Sequence, residues 1–426
     1  MDKIRIIGGQ QLNGDIEISG AKNAALPLMI ASILTDQPLE LNRVPDLKDV
    51  LSLNELLEEL GVTAQYDSRT KKLFLNGAQI TSTEAPYEFV RKMRASILVL
   101  GPLVARMGIA KVSLPGGCAI GTRPVDLHIE GLKRLGAEIE LNEGYILAKA
   151  PNGLTGAPIH FTKVSVGATE NLMMAAALAK GTTVLTNAAR EPEIVDLGEC
   201  LIKMGAEIEG LGTDRITIQG KKFLRGTEHS VIADRIEAGT FAVAAAMTGG
   251  KVTLKHCDMH HLEYLTQPFQ KAGVDVLASG SDVTIERKRE RLQGFDIMTE
   301  PYPGFPTDLQ AQMMSMLTVA EGAGMITETI FENRFMHVPE LARMGADITV
   351  HGSSALVRGV KRLKGAPVMA TDLRASVSLI LAGLVADGAT SVSRIYHLDR
   401  GYEDIVGKLT RVGAKLERMA DKEEAA

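Results

Sequence analysis

An α/β fold of six βαβαββ units, three to each of two lobes, is what the sequence predicts, and three observations predict it. One element recurs along the whole chain: a surface helix running into Gly-Ala or Gly-Val and a short strand. It reads LLEELGVTAQY, LKRLGAEIEL, LIKMGAEIEG, FQKAGVDVLA, LARMGADITV and LTRVGAKLER, with glycines at Gly61, Gly136, Gly205, Gly273, Gly345 and Gly413. Copies spaced by roughly seventy residues are too long for one solenoid unit, so each should be a subdomain with its own helices and strands. The second observation is a partner helix in every copy that is apolar nearly all round and therefore buried. The third is a set of short strand patterns that flank both helices.

Taken in order, each copy opens on a strand: IRIIGG with GDIEISG, then YEFV, APIHF, HSVIAD, GFDIMT and APVMAT. The apolar helices follow as AKNAALPLMIASIL, RASILVLGPLVARM, TENLMMAAALAKG, IEAGTFAVAAAM, DLQAQMMSMLTVA and LRASVSLILAGLVA. Glycine ends these helices and a strand leaves, as in GIAKVSLPGG and GGKVTLKH. The surface helix, its glycine cap and its strand come next, and a last strand closes the unit (KLFLNG, YILAKAP, RITIQG, VTIERK, ALVRGV). Sheets wrapped around buried helices satisfy both helix types, which is the argument for two lobes of three copies. The expected lobes are residues 1–21 with 233–426, carrying Asp308, and residues 22–232, carrying the loop of Cys118. The cleft between such lobes is the expected place for a ligand. The surface helices read as an outer wall that supplies no catalytic residue.

Composition narrows the class. The 426 residues are 45% hydrophobic and 23% charged, with no Trp and 18 Met, which is a globular composition with aliphatic cores. A net charge of -5 argues against a general nucleic-acid role, and basic residues are not interleaved with aromatics. The runs LMMAAALA and LILAGLVA are too short to span a bilayer, so no membrane role is expected. The opening MDKIRIIGGQ lacks a signal-peptide apolar core, and three scattered Cys make no disulfide framework; a cytoplasmic location is the expectation. Neither G-x-G-x-x-G nor GxxxxGK[ST] occurs, and no cofactor is expected. HisCysAspMetHisHis at 256–261 packs metal-ligand types together, but without a second cluster at zinc spacing it reads as an ordinary loop, and no metal is expected.

Function should lie where the copies differ. The strand-to-buried-helix junctions carry Lys22 and Asn23, Arg91 and Arg94, Lys163 to Glu170, Asp234 to Glu237, Asp308, and Asp372 with Arg374. Thr307, Asp308, Thr371 and Asp372 suit helix N-caps. Capping does not explain Lys22, Arg94, Arg235 or Arg374, because a cation there opposes the helix dipole by ~0.3–1 kcal/mol. Any one of them reads as a solvated surface charge; their recurrence at equivalent junctions points to anionic ligands, which free N–H groups at helix N-termini also favour. The second departure is the loop ProGlyGlyCysAlaIleGlyThrArgPro at 115–124, found in copy two alone. Cys118 at its tip, with Arg123 close behind, suits a lowered thiol pKa and a role as acid or nucleophile, while Cys200 and Cys257 read as inert.

Several blocks together, GAKNAALPLMIAS, PGGCAIGTRPVDLH, KVSVGATENLMMAA, GFPTDLQAQ, ETIFENRFMHVPEL and ATDLRAS with LDRGYE, resemble the UDP-N-acetylglucosamine 1-carboxyvinyltransferases of the enolpyruvyl transferase family. The resemblance runs end to end. It implies a two-lobed inside-out α/β barrel and transfer of enolpyruvate from phosphoenolpyruvate to the 3-hydroxyl of UDP-N-acetylglucosamine, the first committed step of peptidoglycan synthesis. It also implies residue roles. Lys22 and Asn23 would contact phosphoenolpyruvate, and Arg94 the nucleotide sugar. Arg123, Pro124, Val125, Asp126 and Leu127, with Lys163, Val164, Ser165 and Val166, would hold uridine and diphosphate. Asp308 would be the general base at the sugar hydroxyl and the Ile330 backbone a further sugar contact. Arg334, Asp372, Arg374 and Arg400 would surround phosphoenolpyruvate. Cys118 would be proton donor, able to form a covalent adduct and to react with the epoxide fosfomycin. With Asp308 and Cys118 in different lobes, catalysis would require closure. The alternatives are a 5-enolpyruvylshikimate-3-phosphate synthase-like transferase, from which the cysteine loop departs, and a non-catalytic nucleotide-sugar-binding paralogue, which need not keep acid and base.

Overall fold

The computed structural model describes residues 2–115 and 125–420. The chain separates into two compact units, residues 2–19 with 233–420 and residues 20–115 with 125–232. Each holds three of the six four-stranded sheets found among the described residues. In every sheet the short first strand runs parallel to the strand leaving the buried helix. The last strand pairs antiparallel on that strand's other side, and the strand after the surface helix takes the edge. A parallel pair needs a long crossover, and in copies two, three, five and six the buried helix supplies it.

The six buried helices are α1 (Lys22–Ile30), α2 (Leu100–Met107), α3 (Val166–Ala176), α4 (Arg235–Thr248), α5 (Gln310–Leu317) and α6 (Leu373–Val385). All fourteen residues of α4 are buried. In the unit of residues 233–420, α4, α5 and α6 pack on one another, with Phe241, Met313, Met314, Leu379 and Ile380 among the fully buried side chains. Each such side chain contributes roughly 1.5–3 kcal/mol by leaving water. In the other unit α2 meets α3 at Gly101, where a Cβ would lie 2.2 Å from Asn171 Oδ1, so only glycine allows that approach. The surface helices lie over the edge strands, and the six repeat glycines after them all have positive φ, from +83° to +105°. A left-handed residue is what lets the chain leave the helix and turn back as a strand.

One expectation is corrected. YEFV is not a strand: the strand is Glu84–Ala85, and Tyr87–Val90 is a helical turn. Pro86 between them has no N–H to continue a ladder. The first strands do not all stay with their own copies. Asn13–Glu17 precedes α1 but pairs parallel with Lys251–Lys255 of copy four. Thr227–Ser230 precedes α4 but pairs parallel with Pro38–Asn42 of copy one. Copies one and four have exchanged opening strands. Lys3–Ile7 supplies the strand that copy six lacks, between Ala389–Ser393 and Lys415–Met419. The exchanged strand 227–230 is fastened by a buried polar clasp. His229 Nε2 donates to Asp196 Oδ1 at 2.8 Å, and Lys203 Nζ donates to His229 Nδ1 at 3.0 Å, both partners coming from the surface helix Pro192–Lys203.

Candidate active site

Each unit gathers part of the polar set at the N-termini of its buried helices. In the unit of residues 233–420, Asp308 sits in the short 3₁₀ turn Thr307–Leu309 that leads into α5. It is not the cap residue of that turn or of α5, which are Pro306 and Leu309, contrary to the expectation from its position. Its carboxylate instead takes two guanidinium groups: Arg334 Nη2 donates to Oδ1 at 2.8 Å and Arg374 Nε to Oδ2 at 3.3 Å. Both arginine side chains are buried, 6% and 4% exposed, while Asp308 keeps 27%, so the carboxylate is fixed and still reachable. Burial opposes the charge on Arg374, yet Asp308 and Tyr402 more than offset it, and its proton is held more firmly than usual.

Arg334 is aimed by a second carboxylate. Its Nη1 donates to Thr307 Oγ1 at 3.0 Å, and Thr307 donates to Glu328 Oε2 at 2.8 Å. Glu328 Oε1 receives Thr299 Oγ1 and the backbone N–H groups of Ile330 and Phe331, at 3.0, 2.9 and 3.1 Å. Ile330 is therefore placed through its own backbone, held by a buried glutamate that its sequence context did not reveal. Asp372 is the cap of α6, accepting the N–H groups of Arg374 and Ala375 at 2.9 Å each, which fixes where Arg374 leaves the helix. Arg400 ends the 3₁₀ turn Ile395–Arg400, half-buried. His397, held low by burial and by the charge of Arg400, also feels Asp372, so these three lie together.

In the unit of residues 20–232, Lys22 is the first residue of α1, buried, with Nζ 2.5 Å from Asp49 Oδ2. Asp49 belongs to the surface helix Lys48–Glu59. The surface helices are thus not a passive wall, since one of them supplies the counter-charge of Lys22. Asn23 follows on α1, half-buried. Arg94 begins the 3₁₀ turn Arg94–Val99 and acts on His128, in the surface helix Asp126–Arg134 with Leu127. Asn171 Nδ2 donates to His128 Nδ1 at 2.9 Å, so the ring proton sits on Nε2, while Asn171 Oδ1 accepts the N–H of Gly101 at 2.8 Å. Lys163 is exposed, Val164 and Val166 are half-buried, and Ser165 caps α3 by accepting from Ala168 N. Behind them Glu170 is fully buried; burial, then Glu193 and Glu191, push its pKa well above the usual carboxylate range. Val125 and Asp126 are described at the start of their helix; Cys118, Arg123 and Pro124 lie outside the described residues.

Arg235, expected as a junction cation, is instead buried against aromatic rings, 5.9 Å from Tyr264 and 5.6 Å from Tyr302. Cys200 is inert, its buried thiol pushed up to about 12. In the 256–261 cluster, Asp258 accepts the N–H of His260 at 2.9 Å and the His260 ring contacts Glu263 at 2.9 Å, which is local capping. His337 is fully buried and neither ring nitrogen has a hydrogen-bond partner.

The buried imidazoles give a pH prediction. Burial, then the charge of Arg94, pushes His128 down to about 4, and burial does the same to His337. A histidine depressed on folding adds stability that is complete above its unfolded value and lost as pH falls through the folded one. Each should therefore cost on the order of 2–3 kcal/mol as pH drops from about 6.5 to about 4. Urea unfolding of the His128→Asn variant should show a shallower acid loss than the parent; an equal loss refutes this account.

The sequence matches the family model described as EPSP synthase (3-phosphoshikimate 1-carboxyvinyltransferase) over residues 6–409. A protein of Acidiphilium cryptum named UDP-N-acetylglucosamine 1-carboxyvinyltransferase is 62% identical over 99% of this chain and 100% of its own length. One of the same name from Rhodospirillum centenum is 61% identical over the same shares. Among solved structures, the enolpyruvyl transferase NikO from Streptomyces tendae superposes with a TM-score of 0.89 at 25% identity, covering 98% of this chain and 99% of that one. EPSP synthase from Acinetobacter baumannii shares the fold at a TM-score of 0.74 and 18% identity, covering 99% and 100%. The chain belongs to the EPSP synthase family of enolpyruvyl transferases.

Proposed function

We infer that the chain transfers the enolpyruvyl group of phosphoenolpyruvate to the 3-hydroxyl of UDP-N-acetylglucosamine, releasing phosphate. The observation that carries this is the Asp308 carboxylate at the entry to α5, gripped by two buried arginines and still open to solvent. The 62% and 61% identity to full-length relatives named for that acceptor supports the choice of sugar.

The residues suit an addition–elimination. Asp308 takes the proton of the 3-hydroxyl as its oxygen attacks C2 of phosphoenolpyruvate, and Cys118 delivers a proton to C3. A tetrahedral adduct results, and loss of phosphate together with a C3 proton restores the vinyl group. Each proton transfer by a placed group is worth on the order of 10²–10⁴-fold. Arg334, Arg374 and Arg400 are fixed cations of the unit of residues 233–420, and pre-aimed charge stabilises a developing anion without reorganisation. Lys22 and Arg94 are cations of the unit of residues 20–232. An arriving anion competes with Asp308 for Arg334 and Arg374. Bound phosphoenolpyruvate would thereby loosen the carboxylate's counter-charges and make it a better base. The Asp126 to Leu127 and Lys163 to Val166 segments would take the uridine and diphosphate, and the Ile330 backbone would contact the sugar. We place the reaction in the cytoplasm, at the entry to peptidoglycan synthesis, with Cys118 as the site of fosfomycin alkylation.

The test is phosphate release from phosphoenolpyruvate with UDP-N-acetylglucosamine, with shikimate 3-phosphate, or with neither, before and after fosfomycin. Release only with UDP-N-acetylglucosamine, abolished by fosfomycin, is expected. Release with shikimate 3-phosphate would move the chain to the other branch of the family, and no release with either acceptor would make it a binding protein.

A further inference from the structure

Behind Asp308 lies a buried polar cluster that the reaction as written does not use. Thr240 of α4, Gln312 of α5 and Tyr402 are 1%, 0% and 3% exposed, among helices that are otherwise apolar. Gln312 Nε2 lies 2.9 Å from the backbone oxygen of Asp308, 3.1 Å from Thr240 Oγ1 and 3.2 Å from Tyr402 OH. Thr240 Oγ1 and Tyr402 OH are 3.0 Å apart. The ring of Tyr402 lies under the Arg374 guanidinium, 5.5 Å from its centre.

Counting protons fixes the direction of each bond. Thr240 has one hydroxyl proton, and it goes to the carbonyl of Ile236 one turn back, at 2.8 Å. Thr240 Oγ1 can therefore only accept from its other neighbours, so the Tyr402 hydroxyl donates to it. The Gln312 N–H₂ has two protons: one goes to the backbone oxygen of Asp308, and the other is shared between Thr240 Oγ1 and the phenol oxygen. The amide of Gln312 must turn its N–H₂ toward Asp308, because two carbonyl oxygens would repel. Asp308 thus reaches Tyr402 on two sides. Its backbone oxygen is linked to the hydroxyl through Gln312, and its carboxylate accepts from Arg374 Nε at 3.3 Å, whose guanidinium lies over the ring.

We propose that Gln312, Tyr402 and Thr240 are positioning residues for the reaction, setting the placement of Asp308 and Arg374 relative to each other. Apolar side chains would fill the same space at lower cost, and Gln312 Oε1 and Arg374 Nη1 are buried without a hydrogen-bond partner, so the network is explained by the geometry it specifies. The proposal rests on the reading of Asp308 as the general base.

The experiment compares kcat and both KM values of the full chain with Thr240→Val, Thr240→Ser, Tyr402→Phe and Asp308→Ala. Thr240→Val keeps the volume and removes the acceptor; Thr240→Ser keeps the acceptor and loses a methyl group. Thr240→Val and Tyr402→Phe should lower kcat roughly 10- to 100-fold, the scale of a misplaced reacting group. Both KM values should stay within about three-fold, and Thr240→Ser should lie within about three-fold of the parent in kcat. A role in packing alone reverses the order, with Ser worse than Val, and overturns the proposal. So does parental kcat in both Thr240→Val and Tyr402→Phe, or a loss seen only in KM. Should Thr240→Val fail to fold, Tyr402→Phe, which keeps the ring, decides alone. Asp308→Ala separates the two levels. If it keeps turnover, the base assignment fails; if it loses turnover while Tyr402→Phe and Thr240→Val do not, only the positioning role fails.

Discussion

Asp308→Ala is expected to cut turnover on the order of 10²–10⁴-fold with UDP-N-acetylglucosamine affinity little changed, which is the signature of a lost proton acceptor. The control is Asp308→Asn. Alanine leaves Arg334 and Arg374 buried without the carboxylate they both hold, whereas asparagine keeps a hydrogen-bond acceptor for one of them and removes only basicity. If Asp308 is the base, both variants lose kcat to a similar degree, and alanine alone also loses stability. Calorimetric titration with the nucleotide sugar gives the affinity directly. A fall in affinity large enough to account for the whole loss in kcat/KM would mean that Asp308 binds rather than reacts.

The same carboxylate shows how far the sequence could be read. Asp308 stood out because it is a charged residue entering an apolar helix, and Lys22, Arg94, Asp372 and Arg374 stood out for the same reason. Their signal is local: a charge where composition predicts none. What that signal could not separate was capping from catalysis. Asp372 is the cap of α6 and Asp308 is not the cap residue of its turn or of α5, although both sit in the same sequence context.

The partners were not legible, for a physical reason. Asp49 reads as an acidic residue in the first turn of a surface helix, where it suits the dipole, and only the fold brings it to Lys22. Glu328 sits just past the end of a strand and looks exposed by pattern, yet it is buried under four donors. Gln312 and Tyr402 are 90 residues apart and meet through α5 and the chain after Arg400. The helices were readable because each buries its own residues regardless of neighbours. Which edge the opening strands of copies one and four join was not, because a five-residue strand carries no record of which equivalent edge it joins.

That exchange leads to the largest stability effect expected. Ser19 follows the exchanged strand Asn13–Glu17, and a buried ion pair holds it. Its N–H donates to Glu237 Oε2 at 2.7 Å, and Lys408 Nζ lies 2.8 Å from Glu237 Oε1 and 2.6 Å from Ser19 Oγ. Glu237 is 2% and Lys408 7% exposed. Burial drives the Glu237 carboxyl up to about 7 against the pull of Lys408. Lys408→Met removes that pull and leaves a carboxylate buried with one N–H, a loss of about 3–5 kcal/mol. The sign with pH follows from a raised acid: its contribution is full below the unfolded value near 4.5 and is lost as pH rises through the folded one. Without Lys408 the folded value moves higher still, so the deficit of Lys408→Met relative to the parent should widen from pH 5 to pH 8. Adding Glu237→Gln, which keeps an acceptor for Ser19 N–H and removes the charge, should recover most of the loss at pH 8 and little at pH 5. Urea midpoints of the two variants at both pH values measure this. A deficit that does not change with pH, or no recovery at pH 8, would show that Lys408 acts through packing of its chain instead of through its charge.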